Sequence, residues 1–154
     1  VIFNFIEWKL QYFEHSAAAL STEAILSILV CILVMFALLH LVKNNRASAH
    51  VILYVLFSIQ IINAIYHIFF SLYFSDFSPG TITAALFYLP VNFLIVRAAF
   101  REGFLKSYME YVYIALLGTI TFVLFEVYGP LVIGLSIISS LVYFAWFNNR
   151  LTNN

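Results

Sequence analysis

TEAILSILVCILVMFALLHLV, residues 22–42, is an almost unbroken apolar segment that is followed by Lys43 and Arg46. Its one charged residue, Glu23, would lie in the first helical turn, where the helix dipole favours an acid. About 20 apolar residues suffice for an α-helix to cross the hydrocarbon core of a bilayer. The segment therefore predicts a transmembrane helix with Ser21 as its N-cap.

Four further apolar runs follow along the chain. They cover Val51–Phe74, Pro79 to about residue 99, Tyr108–Val127 and Leu131–Phe147. Ser107 and Glu110 have the spacing of a capping box at the start of the fourth run. Tyr128-Gly129-Pro130 predicts a tight reversal before the fifth, with a break inside one re-entrant or kinked element as the alternative. We predict an all-α membrane protein, a bundle of five transmembrane helices within residues 21–150, with a tail at 151–154.

The N-terminal segment, residues 1–20, is not expected to form a sixth span, because its amphipathic part, residues 1–15, is too short and too charged. Aromatic side chains such as Trp8 and Tyr12 are interleaved there with charged and polar ones. This pattern is typical of a short amphipathic helix that lies in the headgroup region of a membrane. A lead-in without fixed structure is the alternative.

The basic residues predict an orientation. Six of the seven Lys and Arg residues follow the first, third and fifth runs, whereas the gap between the second and third runs holds only Asp76. Cytoplasmic loops of membrane proteins carry an excess of Lys and Arg. We expect the N-terminus outside and the C-terminus in the cytoplasm, in a bacterial inner (plasma) membrane. The cytoplasmic residues expected to contact a partner are Lys43, Arg46, Arg101, Lys106 and Arg150.

Composition limits the possible functions. The chain is 64% hydrophobic and 9% charged, against about 25% charged residues in soluble domains, so its apolar surface should meet lipid. The net charge is zero and no basic patch is present, so we predict no nucleic-acid partner. Cys31 is the only cysteine, and we predict neither a metal nor a cofactor. Nucleophile elbow, HExxH and Gly-rich phosphate motifs are absent, which predicts a protein that is not an enzyme.

A polar stripe on the second run is the clearest functional signal. Polar residues at membrane depth face other helices or a hydrated pathway. Pro90 in the third run has no N–H for the carbonyl of Leu86, which could leave a free acceptor close to the stripe. Both interpretations, interhelical hydrogen bonds and a pathway, are open. The stripe consists of Gln60, Asn63, His67 and Ser71, with Tyr88 and Asn92 of the third run expected to face it.

Two smaller patterns complete the set of candidates. Small residues on the fourth and fifth runs, including Gly118 and Gly134, predict a tightly packed helical hairpin. His40 and His50 are expected on the cytoplasmic side of adjacent helices, with His50 at or beyond a helix end. A pair of histidines at equal depth could ligate a haem, which makes an electron-transfer subunit the third and weakest hypothesis.

The favoured function is a non-enzymatic anchor or sensor subunit of a membrane complex. The expected partners are the lipid bilayer and either further copies of the chain or another membrane or cytoplasmic subunit. The alternative is a small oligomeric channel or uncoupled transporter that is lined by the polar stripe.

Overall fold

The computed structural model describes residues 22–73 and 81–153, and the regular structure in these ranges is entirely helical. Five of its helices are long and apolar enough to cross a membrane, which confirms the predicted fold class at that level. The predicted interfacial helix and the predicted turn around Asp76 lie outside the described residues. The helices are α1 (Thr22–Lys43), α2 (Arg46–Tyr73), α3 (Thr81–Arg101), α4 (Tyr108–Tyr128) and α5 (Leu131–Thr152).

Helix α2 is the centre of the bundle and contacts each of the other four helices. Val51 and Val55 pack with buried side chains of α1 and α5. Leu53 and Phe57 pack instead with buried side chains at the end of α3 and on α4. Eight of the sixteen buried apolar residues in the described part of the chain lie on α2, so this helix contributes the largest share of the core that holds the bundle together.

A π-helical turn at Phe57–Ile61 interrupts α2 at the point where α4 crosses it. Gly118 of α4 lies against this turn. A β-carbon at position 118 would lie 2.6 Å from Phe57 Cβ and 3.1 Å from the backbone nitrogen of Ser58. Only a residue without a side chain allows the two backbones to approach so closely.

Helix α2 begins at Arg46, earlier than the apolar run that starts at Val51. Asn45 caps the helix, because its side chain accepts a hydrogen bond from Ser48 N at 3.0 Å while Ser48 Oγ accepts from Asn45 N at 3.3 Å. Asn44 adopts φ 44° and closes the end of α1 with a 2.7 Å bond from its N–H to His40 O. The connection between α1 and α2 is therefore two residues long, and residues expected in a loop are helical.

The reversal between α4 and α5 takes only Gly129 and Pro130, as the sequence predicted. Gly129 adopts φ 69° and donates to Phe125 O at 2.8 Å. The prediction that Gly118 and Gly134 draw α4 and α5 together is wrong. Gly118 packs on α2, and a β-carbon on Gly134 would meet no atom within 4 Å.

Pro90 is accommodated by a second π-helical turn, at Ala84–Tyr88. The N–H of Leu89 reaches back to Ala84 O, and α3 continues regularly from Leu89 to Arg101. A wider turn directly before a proline shifts the hydrogen-bond pattern at the point where the missing N–H would otherwise interrupt it.

Replacing Gly118 with Ala should destabilise the bundle by about 1–3 kcal/mol, because the new methyl group must displace the α2 backbone. The unfolding midpoint of the purified protein in mixed micelles measures this loss. Gly134→Ala is the matched control, and since its methyl group meets open space it should be neutral or slightly stabilising. Equal midpoints for the two variants would contradict the close approach of α4 to α2.

Candidate functional site

Three distant chain segments meet at the end of the bundle that carries most of the basic residues. Asn45 Nδ2 donates to Asn148 Oδ1 at 2.8 Å and so joins the α1–α2 connection to the end of α5. Arg46 Nε donates to the carbonyl of Phe104 at 3.4 Å and joins the same connection to the segment between α3 and α4. We refer to Arg46, His50, Glu110 and Tyr143, which lie within this junction, as the polar cluster.

Arg46 and Glu110 form the ion pair of the polar cluster. Arg46 Nη2 lies 2.5 Å from Glu110 Oε1, and the two side chains are only 19% and 28% exposed. Glu110 Oε2 also accepts the backbone N–H of Lys106 at 2.8 Å. The guanidinium of Arg46 lies 5.4 Å from the centre of the Phe147 ring, a cation–π distance. Contacts on several sides therefore fix the position of this charge pair.

His50 is the buried member of the polar cluster and is only 6% exposed. Its Nδ1 shares a 2.9 Å hydrogen bond with the hydroxyl of Tyr143. Its Nε2 lies 3.7 Å from Glu110 Oε2, too far for a hydrogen bond. The cluster therefore runs from a carboxylate near the surface through a buried imidazole to a phenol on α5.

The prediction that His50 lies at or beyond a helix end is wrong, since the Asn45 cap places it in the second turn of α2. His40 lies at the same end of the bundle, where its Nδ1 shares a 2.9 Å hydrogen bond with Ser48 Oγ and its ring meets Phe104 edge-on at 5.1 Å. The Nδ1 atoms of both histidines are thus engaged by hydroxyl groups. Haem ligation by this pair stays the third and weakest hypothesis, and no cofactor is predicted.

A groove of about 500 Å³ opens between α4 and α5, with α2 as its floor. His50 and Tyr143 lie on its lining together with Thr121 and Tyr54. Thr121 Oγ1 donates to Leu117 O at 2.9 Å, so Tyr54 must donate in the 2.7 Å bond between the two hydroxyls. The groove therefore offers hydroxyl oxygens as acceptors beside aliphatic and aromatic side chains.

The predicted polar stripe is divided between two sides of α2. Asn92 Nδ2 of α3 donates to Gln60 Oε1 at 2.9 Å, and Ser71 shares a 2.7 Å bond with Thr81. Asn63 instead lines a separate cavity of about 120 Å³ among α1, α2, α4 and α5. A pathway along the stripe stays a prediction. Of the remaining members, His67 accepts from Thr81 through its carbonyl and touches Tyr66 with its ring, and Tyr88 accepts from Asn92 through its carbonyl.

The predicted partner contacts also separate into two groups. Arg46 turns inward to Glu110, whereas the other four remain on the surface. Arg101 is 77% exposed and lies 3.6 Å from Glu102, a pair of a kind that contributes little in water. Arg150 lies 4.4 Å from the centre of the Trp146 ring. The exposed cations at this end of the bundle are Lys43, Arg97, Arg101, Lys106 and Arg150.

Sequence reasoning missed the polar cluster, although two local signals were available. Asn45 and Ser48 have the spacing of a capped helix start, which would have placed His50 inside α2. Ser107 and Glu110 were recognised as a capping pair, and Ser107 Oγ does accept from Glu110 N at 3.2 Å. The glutamate side chain, however, reaches Arg46 instead of completing the box.

Comparisons with known proteins point to one family. A family model described as "Protein of unknown function with HXXEE motif" matches residues 2–95, more than half of the chain. The match includes α1, α2 and most of α3, and thus Arg46 and His50 but not Glu110 or Tyr143. None of the four histidines of the sequence is followed by glutamates at the third and fourth positions. No curated protein and no solved structure matches the chain.

A double-mutant cycle tests the ion pair of the polar cluster. Arg46→Gln and Glu110→Gln should show a coupling energy of about 1–2 kcal/mol in unfolding experiments, because the charges are partly buried and held on several sides. Arg101→Gln with Glu102→Gln is the matched control on the surface, with an expected coupling of about 0–0.5 kcal/mol. Similar couplings for the two pairs would mean that Arg46 and Glu110 behave as ordinary surface charges.

Proposed function

The chain belongs to the family of proteins of unknown function with an HXXEE motif, and from that premise we propose that it is a non-enzymatic integral membrane protein serving as an anchor or sensor subunit of a membrane complex. Five helices of sufficient length and apolarity support the membrane location. Large apolar side chains on every helix remain well exposed, which suits contact with lipid, with further copies or with another membrane subunit.

The proposal of a partner rests on a difference among the basic residues, of which one is paired inside the bundle and the others are exposed. Arg46 is neutralised by Glu110 inside the bundle, whereas Lys43, Arg101, Lys106 and Arg150 remain exposed around the same junction. Because the polar cluster connects the chain segments of the junction, these cations have fixed positions relative to one another. An acidic surface of a cytoplasmic or membrane partner would complement them.

The polar cluster also supports the role of a sensor. His50 and Tyr143 border the groove between α4 and α5, while Glu110 and Arg46 contact the segment that carries Lys106. A ligand in the groove that disturbed the hydrogen bond between His50 and Tyr143 would act on the same cluster that holds the exposed cations in position. The ligand site would thus lie on the lipid-facing side of the bundle, and the resulting change in the positions of the cations would occur at the basic end.

Charge reversal tests the partner. The double variant Arg101→Glu, Lys106→Glu should lower recovery of a co-purifying partner from native membranes by about tenfold or more, because like charges at an interface cost several kcal/mol. Arg101→Lys with Lys106→Arg keeps the charges and should retain wild-type recovery. The proposal fails if the wild-type chain always purifies alone, or if reversal leaves recovery unchanged.

We also propose that the basic end faces the cytoplasm and that the host membrane is a bacterial inner membrane. Cys31→Ser yields a cysteine-free background, because the sequence has no other cysteine. In that background Tyr128→Cys should react with an impermeant maleimide on intact cells, and Lys106→Cys only after permeabilisation. Both positions are exposed. The opposite pattern would reverse the orientation and would exclude a cytoplasmic partner at the basic end, leaving a membrane partner.

A further inference from the structure

A second groove, separate from the polar cluster, runs between α3 and α4 and has a volume of about 500 Å³. Aromatic rings close its basic end, with Phe100 5.1 Å from Tyr108 and 6.0 Å from Tyr111 between ring centres. Its wall is formed mainly by apolar side chains of α3, including Leu89, Phe93 and Val96. The groove thus has the shape and the surface to hold a hydrocarbon chain.

Asn92 is a polar residue on this apolar wall, and it is 2% exposed. Its Nδ2 donates to Tyr88 O at 2.8 Å and to Gln60 Oε1 at 2.9 Å, which uses both of its N–H groups. Because a backbone carbonyl can only accept, the bond to Tyr88 identifies the nitrogen of the amide. The remaining atom, Oδ1, is buried without a hydrogen-bond partner among the described residues. Such an atom is an acceptor that awaits a donor.

Arg97 supplies a positive charge on the lining of the same groove. It is exposed and forms no ion pair with residues 22–73 or 81–153. Arg97 lies four residues before the end of α3, roughly 6 Å along the helix axis, which corresponds to headgroup depth if α3 spans a bilayer. Asn92 lies roughly 7.5 Å deeper, near the boundary between headgroups and acyl chains.

We propose that this groove binds one anionic membrane lipid. Its phosphate or carboxylate pairs with Arg97, an amide N–H or hydroxyl near the head of its chain donates to Asn92 Oδ1, and the chain continues past Leu89 toward the middle of the bilayer. The charge of Arg97 selects an anion, and the unpartnered oxygen of Asn92 selects a lipid with a donor over an ester-linked lipid, which has only acceptors at that depth. The site does not depend on the proposed anchor or sensor function.

Four lipids with matched chains separate the two contributions. Ceramide 1-phosphate has the anion and the donors, phosphatidic acid has only the anion at this depth, ceramide has only the donors, and diacylglycerol lacks the anion. The purified full-length chain is titrated with each lipid in neutral detergent, and native mass spectrometry measures the bound fraction. We expect phosphatidic acid to bind about tenfold more tightly than diacylglycerol, and ceramide 1-phosphate about threefold to tenfold more tightly than phosphatidic acid.

Variants assign these preferences to residues. Arg97→Gln should abolish the preference for phosphatidic acid over diacylglycerol, and Asn92→Ala should abolish the preference for ceramide 1-phosphate over phosphatidic acid. Arg101→Gln removes a cation one turn further along α3 and should change neither ratio. If Asn92→Ala fails to fold, the comparison of ceramide 1-phosphate with phosphatidic acid on the wild-type chain still decides the donor.

Several results would overturn the proposal. These are equal binding of phosphatidic acid and diacylglycerol, equal binding of ceramide 1-phosphate and phosphatidic acid, and an unchanged anion preference in Arg97→Gln. Displacement of the lipid by millimolar inorganic phosphate would identify a free anion, not a lipid, as the ligand. A dimer that retains no lipid would assign the groove to a second copy of the chain.

Discussion

The bundle depends on the close approach of α4 to the π-helical turn of α2. Gly118 lets the α4 backbone pack directly on Phe57 and Ser58. This crossing fixes α4 on α2, the helix that the other four contact. Because α1 and α3 contact mainly α2, their positions follow from that of α2, whereas α5 packs on both α2 and α4. A chain with so little interior has few other ways to hold five helices in register.

The same central helix determines what each end of the bundle can do. At the basic end, the Asn45 cap starts α2 early enough to bring Arg46 and His50 inside, where they meet Glu110 and Tyr143. Further along α2, Gln60 turns to α3 and holds Asn92 by one side of its amide. A structural contact thus leaves the opposite side of Asn92 as an acceptor on the wall of a groove. Because the interior is so small, a single side chain such as Asn92 can combine a structural contact with the proposed ligand contact.

The spans and their order could be predicted from the sequence, because length and apolarity are local properties of each segment. The neighbour that each helix face contacts could not be predicted in the same way. The prediction of one polar stripe requires a uniform helical period along α2. The π-helical turn at Phe57–Ile61 widens the helix there, so Gln60 and Asn63 contact different neighbours. Gly118 was recognised as a packing residue and assigned to the wrong helix, since a small residue indicates a close approach without naming its partner. His50 was misplaced because the cap that begins α2 precedes the apolar run.

The two-residue reversal between α4 and α5 has a consequence for how the chain enters a membrane. No Lys or Arg occurs between Lys106 and Arg150, and Gly129 and Pro130 alone connect the two helices. A helical pair of this kind can insert as one unit, because no hydrated loop has to be carried through the hydrocarbon core. In the proposed orientation, the basic residues at its open end remain on the side from which insertion starts. Insertion of the last third of the bundle would therefore require only that those charges stay on their original side of the membrane. Glu126 is the sole carboxylate near the closed tip of the pair, which would have to cross.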